Sequence, residues 1–364
     1  MANIDRHTEV ELYLADRAAK CFNVVYGTIL AEEDGLTVPN QNGDLPFIDY
    51  DPRKPNEPYF EWIDTVIDMA QRKGIIIALA PAWGRWVNQG WHGPPVVLNT
   101  SNAASFGHYI GQRYAGLPKI IGGDSNSTAS AMYGNETWLS MDGVQTGHSD
   151  INNSESHSFY GFDYINQWVP IANQNAVKEI RNEDGSFRWN SSFVRNGAWH
   201  AFYAGSAGVT YGEQAVWQFA NPARFNGTAG LNETWVDGIK RPASGQIRYL
   251  RSYVEEHLGI HRKPDKSLLT TNPGMEYAEI MAIRDRSWAW VTVYAPMGQT
   301  FGLNTRNLSG TGELQAWWFI PKNGEYLPLG TIPRSANLSF VPPTGGTIDD
   351  DWALLVKASL ARHL

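Results

Sequence analysis

Cysteine is almost absent from this sequence, in which Cys21 is the only one among 364 residues. A single cysteine cannot form an intramolecular disulfide, and the apolar stretch "CFNVV" favours a buried small side chain over a reactive nucleophile. A disulfide framework and dithiol redox chemistry are therefore excluded.

Basic charge and long apolar runs are also scarce. The chain carries 29 Lys and Arg against 37 Asp and Glu, a formal net charge of −8, and its basic residues form no cluster beyond what solvated helix faces carry. No apolar run approaches the roughly 18 residues of a membrane span, and the first residues contain no apolar signal-peptide core. We expect neither a nucleic acid nor a membrane as a partner.

Several chemical signatures are missing as well. The sequence has no zinc-binding helix motif, no P-loop, no dinucleotide fingerprint and no G-x-S-x-G nucleophile elbow. We therefore expect neither a metal nor another cofactor.

Asn-X-Ser/Thr sequons are abundant, and they occur at Asn99, Asn126, Asn135, Asn152, Asn190, Asn226, Asn232, Asn307 and Asn337. This frequency is typical of glycoproteins of the secretory route. We expect a secreted protein, although no signal peptide is present in this chain.

Hydrophobic periodicity divides the chain into two parts. From residue 8 to 262, helix-like segments alternate with apolar strand-like segments, which predicts parallel βα units. The predicted helices are 9–20, 59–73, 101–114, 192–205 and 244–258, and the predicted strands are 22–30, 74–83, 119–121, 143–148, 175–180 and 208–212. From about residue 266, short alternating strands with Gly, Asn and Pro turns predict a small β-sandwich, and its four strand candidates are "EIMAIRD", "WAWVTVYAP", "LQAWWFIP" and "WALLVKA". The predicted domains are 1–262 and 266–358.

Two acids follow predicted strands, where parallel α/β folds collect catalytic side chains. Asp124 ends "KIIGGD", and its glycines would let a substrate approach the backbone closely. The competing interpretation is an Asp that caps the next helix. Glu179 ends "NAVKE", where the simpler interpretation is a surface residue of the charged run "KEIRNED". Glycoside hydrolysis would need one acid and one nucleophile or base.

Aromatic and polar residues also recur after predicted strands. Trp83 follows "APA", Gln145 and His148 end "VQTGH", and Tyr211 and Trp217 lie within or beyond "VTYGEQAVW". Core packing and a sugar-binding rim are equally compatible with the two tryptophans.

Longer motifs carry a resemblance to a known family. The segments "DPRKPNEPYFEWIDTVIDMAQRKGIIIALAPAWG", "IIGGD", "WLSMDGVQTGH", "FYAGSAGVTYGEQAVWQF" and "AWWFIPKNGEYLPLG" resemble the apiosidase-like glycoside hydrolases, in which a barrel precedes a domain named collagen-binding. The resemblance implies a (β/α)8 TIM-type barrel, an acid/base at Asp124 and a nucleophile at Glu179. Ile180 and Asn182 depart from the family's usual Pro and Tyr.

The resemblance also implies that parts of the family's barrel are missing and that the protein has an enzymatic activity. The family's first strand, with its "GDTAW"-like motif, and one internal βα unit are missing, so we expect an incomplete barrel. The implied activity is that of a retaining O-glycoside hydrolase acting on plant or microbial polysaccharide side chains, with oligo- or polysaccharide as its partner. The sequence leaves the protein partner unknown. The alternative is an inactive carbohydrate- or matrix-binding protein, and the C-terminal aromatics fit packing better than a collagen groove.

Overall fold

A computed structural model describes residues 8–31, 35–87, 96–116, 121–122, 141–145, 163–170, 190–224, 233–258, 261–310 and 312–358. The chain forms two compact units, the first from residues 1–143 and 214–239 and the second from residues 144–213 and 240–364. Within the described ranges, no helix has the length and apolar character needed to span a bilayer.

The described helices are α1 (Thr8–Ala19), α2 (Glu57–Arg72), α3 (Ala103–Arg113), α4 (Ser191–Tyr203), α5 (Gln214–Trp217), α6 (Trp235–Gly238) and α7 (Pro242–His257). The described strands are β1 (Val24–Leu30), β2 (Ile76–Ala82), β3 (Ile121–Gly122), β4 (Met141–Gln145), β5 (Asp163–Pro170), β6 (Gly208–Glu213), β7 (Arg262–Pro264), β8 (Met281–Asp285), β9 (Trp290–Ala295), β10 (Phe301–Leu303), β11 (Leu314–Phe319), β12 (Tyr326–Ile332), β13 (Leu338–Phe340) and β14 (Trp352–Ala358). Short 3-10 turns occur at Ile48–Tyr50, Gly84–Trp86, Lys266–Leu268 and Glu276–Ala278.

The first unit is organised around a βαβ unit. Strands β1 and β2 pair in parallel from Val24 opposite Ile76 to Leu30 opposite Ala82, and α2 connects them. Apolar side chains at helical spacing on α2, including Phe60, are buried. Gly74 follows the helix at φ +72°, a left-handed conformation that glycine adopts without strain.

The second unit contains a six-stranded sheet in the order β12-β11-β14-β9-β8-β7, and all its neighbouring strands pair antiparallel. Helix α4 covers one face, where Trp199 contacts Tyr294 and Phe319 at ring-centroid distances of 5.4 and 5.7 Å. The β10–β13 pair covers the other face, where Phe301 packs against Trp318. Because both faces of the sheet are covered, every residue of β9 is buried. Its sequence therefore does not need the alternation of apolar and polar residues that a half-exposed strand shows.

This sheet confirms the four C-terminal strands predicted from the sequence. It also refines the predicted β-sandwich, because the layer described on its other face is the two-stranded β10–β13 pair. Residues 262–264, at the expected domain boundary, form the edge strand β7. Tyr294 and Phe319 are fully buried against α4. These two rings are thus used in packing, while the choice between packing and a collagen groove for the C-terminal domain stays a prediction.

The opposite edge strand, β12, is irregular. Its pairing with β11 shifts where Ala316 faces Gly330 and Trp317 faces Pro328, so Leu329 is the extra residue of a bulge. Gly330 has φ +79°, and Leu329 is 43% exposed.

A buried polar network joins α4 to the start of β14. The Arg195 guanidinium contacts both carboxylate oxygens of Asp351 and donates to Gln246 Oε1 at 2.6 Å. Tyr294 Oη donates to Asp351 Oδ2 at 3.2 Å. The charges are thus buried together with hydrogen-bond partners, as charged groups in a protein interior require.

The five helices expected from the sequence are confirmed to within a few residues, but two other expectations are wrong. Strand β5 was missed, and it pairs antiparallel with β6, Ile165 lying opposite Tyr211, so these units are not all parallel. Cys21 is exposed rather than buried. It follows the end of α1 with φ +63°, and this left-handed turn directs it away from the apolar strand that follows. The expected strand 175–180 lies outside the described residues.

Candidate functional site

The carboxyl edge of the β1–β2 pair is the best-defined place for a site in the first unit. Trp83 N donates to Leu30 O at 3.1 Å, and Trp86 Nε1 donates to Ala31 O at 2.6 Å. Tyr59, in the first turn of α2, donates its hydroxyl to Ile29 O at 2.7 Å. In parallel α/β folds, ligands bind outside this end of the strands.

Two of the predicted sugar-binding residues come together in the first unit. The Trp83 and Trp217 rings lie 6.2 Å apart with an interplanar angle of 15°, and both are half-buried. A sugar held between two rings would need roughly 7 to 8 Å, because each carbon–carbon contact takes about 3.5 to 4 Å. The pair therefore cannot sandwich a sugar, and stacking is possible only on its outer surface.

Aromatic packing fixes the segment that carries Trp217. Phe219, just after α5, has φ +47°, and its ring meets Tyr13 and Trp235 edge to face at 5.3 and 5.6 Å. Ala220 N donates to Ala215 O at 2.8 Å and closes the turn. The Trp217 ring is thus presented by a rigid turn rather than by an extended loop.

Gln214 is a site residue that sequence reasoning missed. Its side chain is 3% exposed, and its Oε1 accepts a hydrogen bond from Trp217 Nε1 at 2.9 Å, which leaves Nε2 as a donor. Among the described residues, Nε2 is buried without a hydrogen-bond acceptor. An unpaired buried donor costs about 1 to 3 kcal/mol, so it needs a reason to persist. The available signal was a polar residue two positions after a predicted strand.

The remaining predicted residues are placed only in part. Asp124, Glu179 and His148 lie outside the described residues. Gln145 is the last residue of β4, for which the backbone alone is described. Tyr211 is a half-buried residue of β6 in the second unit.

A further carboxylate ends strand β6 in the second unit. Glu213 is 1% exposed, and Arg241 Nε donates to its Oε1 at 3.2 Å. The rule that selected Asp124, an acid at the carboxyl end of a strand, also applies to Glu213. Sequence reasoning overlooked it because "YGEQ" was read as part of an aromatic motif.

No three His, Cys, Asp or Glu side chains within the described ranges are grouped in a way that could hold a metal ion. The chemistry available at the β1–β2 edge is aromatic stacking beside an amide donor. Both are properties of a carbohydrate-binding surface.

Two solved structures share the fold of this chain. One, described as a glycoside hydrolase, covers 98% of this chain and 90% of its own at 22% identity and a TM-score of 0.80. The other, the crystal structure of a glycoside hydrolase family 5 protein from Bacteroides vulgatus ATCC 8482, covers 100% and 88% at 21% identity and a TM-score of 0.82. This chain therefore shares the mixed α/β fold of these two proteins, with a C-terminal antiparallel sheet.

The family follows from sequence models. Residues 2–133 and 125–259 match the family described as "Apiosidase-like, catalytic domain", and residues 263–357 match the "Putative collagen-binding domain of a collagenase". The chain belongs to the apiosidase-like family, as its motifs indicated. No curated protein matches the sequence.

Proposed function

We propose that this protein is a retaining O-glycoside hydrolase that acts on side chains of plant or microbial polysaccharides. Family membership supports the reaction class. The observation that carries the proposal is the Trp83–Trp217 pair at the carboxyl edge of β1–β2. It offers an aromatic surface where such enzymes bind sugars.

In the proposed reaction, Asp124 protonates the glycosidic oxygen while Glu179 attacks the anomeric carbon, so the bond to the leaving group breaks as an ester to Glu179 forms. Asp124, now ionised, then takes a proton from water, and the resulting attack returns the Glu179 carboxylate. Inversion occurs at both steps, so the product keeps the anomeric configuration. Such a pair of carboxyl groups stands about 5 to 5.5 Å apart.

Substrate binding is assigned to the outer surface of the Trp83–Trp217 pair, with Gln214 Nε2 donating to a sugar hydroxyl. Gln145, His148 and Tyr211 stay as sequence-based candidates for further hydroxyl contacts. A ligand hydroxyl would give the buried amide donor the acceptor that the described residues do not provide.

The test replaces each carboxylate by its amide, Asp124→Asn and Glu179→Gln, and assays aryl glycosides and pectic oligosaccharides. We expect each variant to lose at least about 100-fold in kcat, and the anomer first formed by the native protein to be the retained one by NMR. Glu61→Gln, at an exposed position of α2, is the matched control for removing one carboxylate. Full activity in either catalytic variant would refute the assignment, and sugar binding without turnover would favour the non-catalytic alternative.

We further propose a barrel domain at 1–262, a C-terminal domain at 266–358 and a secreted glycoprotein. Asn307 is an exposed sequon residue and therefore accessible to modification. Expression in a glycosylating host, followed by glycosidase treatment, should lower the apparent mass of the native chain. Asn307→Gln should remove one glycan, and an unglycosylated secreted chain would contradict this proposal.

A further inference from the structure

A short loop in the first unit displays the only exposed aromatic ring among the Phe, Tyr and Trp side chains that the structure describes. Tyr50 is 56% exposed, and its neighbour Ile48 is 52% exposed. Because both side chains are exposed, the fold lacks the free energy of burying their apolar surface, roughly 25 cal/mol per Å². The two lie on a loop that we call the 47–55 hairpin, closed by an antiparallel bridge between Phe47 and Pro55.

The 47–55 hairpin lies at the same edge as the aromatic pair. Its base is tied to the start of α2, because Asn56 N donates to Pro46 O at 3.0 Å and Asn56 Nδ2 donates to Leu45 O at 2.8 Å. The first turn of α2 is in turn anchored at the end of β1 by the Tyr59 hydroxyl. The hairpin therefore belongs to the β1–α2 connection, on the side of the strands where Trp83 also lies.

The exposure of Tyr50 is imposed by the backbone. Asp49 and Tyr50 have φ +55° and +57°, so two consecutive non-glycine residues are left-handed. Each such residue costs about 1 to 2 kcal/mol relative to the right-handed form. A sequence selected for stability alone would place glycine here, as it does at Gly74 and Gly330.

The strained conformation is held by hydrogen bonds around the turn. Ile48 N donates to Lys54 O at 3.0 Å, and Lys54 N donates back to Asp51 O at 2.8 Å. The Arg53 side chain donates twice to the Asp51 carboxylate, at 2.9 and 3.0 Å. The backbone that carries the ring therefore has little freedom left to lose on binding, which favours affinity.

The chemistry of the tip suits a sugar. An aromatic face stacks on the C–H face of a pyranose or furanose ring, and the phenol hydroxyl can bond to sugar hydroxyls. The same loop carries charged side chains of both signs, with Lys54 Nζ 3.1 Å from Asp49 Oδ2. This balanced charge favours a polar, uncharged partner over an ionic one.

We propose that the 47–55 hairpin is a second carbohydrate contact, in which Tyr50 stacks on a sugar residue remote from the bond that is cleaved. This inference rests on the proposed function and adds a preference for longer chains. Tyr50 is a binding residue and takes no part in the chemical steps.

The test measures affinity rather than turnover. Glu179→Gln protein is titrated calorimetrically with uncharged pectic side-chain oligosaccharides of increasing length, with and without Tyr50→Ala. We expect Tyr50→Ala to weaken binding of the longer oligosaccharides about three- to tenfold and to leave the shortest unchanged. Tyr50→Phe, which keeps the ring, should restore most of the affinity.

Leu12→Ala is the matched control, since Leu12 is a 45% exposed apolar residue of the same unit. Unchanged affinity of Tyr50→Ala at every length, or equal weakening at every length, would overturn the inference. The proposed function fails separately, when hydrolysis is absent or does not depend on Asp124 and Glu179. Binding by Tyr50 can then still be observed.

Discussion

Arg195 and Asp351 form an ion pair in which both side chains are almost completely buried, 0% and 1% exposed, with Nη2 2.6 Å from Oδ1. The pair links α4 to the residue just before β14. Its desolvation is offset by the additional hydrogen bonds to Gln246 and from Tyr294.

Removing one partner should therefore be costly. Asp351→Ala leaves the guanidinium buried without its main counter-charge, and we expect a loss of about 3 to 5 kcal/mol in the free energy of unfolding. Asp349→Ala is the matched control, because Asp349 contacts the same guanidinium with its side chain 45% exposed. It should cost no more than about 1 kcal/mol. Urea denaturation of the three proteins measures both values, and equal losses would contradict the burial argument.

Gln214 should affect sugar binding more than folding. Gln214→Met keeps the side-chain length and removes both the unpaired Nε2 donor and the acceptor for Trp217 Nε1. Because the two effects on stability oppose each other, we expect a melting temperature within a few degrees of the native protein. We also expect kcat/KM to fall about 10- to 100-fold through the missing hydroxyl contact. A large fall in melting temperature with unchanged kcat/KM would instead mark Gln214 as a structural residue.

Relieving the strain of the hairpin should stabilise the fold. Asp49→Gly places glycine at φ +55° and ψ +26°, a conformation that it adopts without steric cost. We expect the free energy of unfolding to rise by about 0.5 to 1 kcal/mol, since part of the strain relief is offset by the greater unfolded-state entropy of glycine. Asp44→Gly, in another exposed loop, should give no gain. A destabilised Asp49→Gly protein would show that the left-handed turn is not strained.

His257 should make stability depend on pH. Burial and the neighbouring Lys357 lower the pKa of His257, while Glu256 acts to raise it. Lys357 Nζ lies 2.8 Å from His257 Nδ1. Tyr253 and Tyr326 face the imidazole ring. The neutral ring accepts from Lys357, whereas a protonated ring would place two cations together. The folded state thus binds the proton less tightly than the unfolded state does. The contribution of His257 to the free energy of unfolding is therefore complete above the ordinary pKa of 6.5 and is lost as pH falls toward the lowered pKa.

The measurement is the urea midpoint between about pH 7 and 5. His257→Gln keeps a hydrogen-bond acceptor that does not titrate, so the slope of stability with pH should be smaller than in the native protein. Identical slopes would exclude His257 as the source.

The sequence was informative where local pattern and tertiary packing agree. The spacing of Phe60, Ile63 and Val66 on α2 predicted a helix, because one stripe of that helix faces the core. The bounds of β14 were predicted to the residue, because a short uninterrupted apolar run is compatible with few structures other than a buried strand. Strand β5 was missed because "DYINQWVP" mixes polar residues with a proline. Its antiparallel pairing depends on distant residues of β6, which no local pattern records.

The candidate site, like the fold, could be predicted from the sequence only in part. Trp83 and Trp217 could be chosen from their positions after strands, but the 6.2 Å between their rings depends on the turn at Phe219, and that distance excludes a sandwiched sugar. Tyr50 gave no signal in the sequence, since left-handed backbone runs against the intrinsic preference of a bulky aromatic residue.

The irregular edge at β12 bears on solubility. A regular outer strand presents unpaired amide groups on which another chain can assemble, and exposed leucines such as Leu327 and Leu329 would strengthen that contact. Pro328 has no N–H to offer, and the bulge twists the edge away from a flat template. At its β12 edge, this C-terminal sheet is therefore protected against edge-to-edge aggregation by two residues, Pro328 and Gly330.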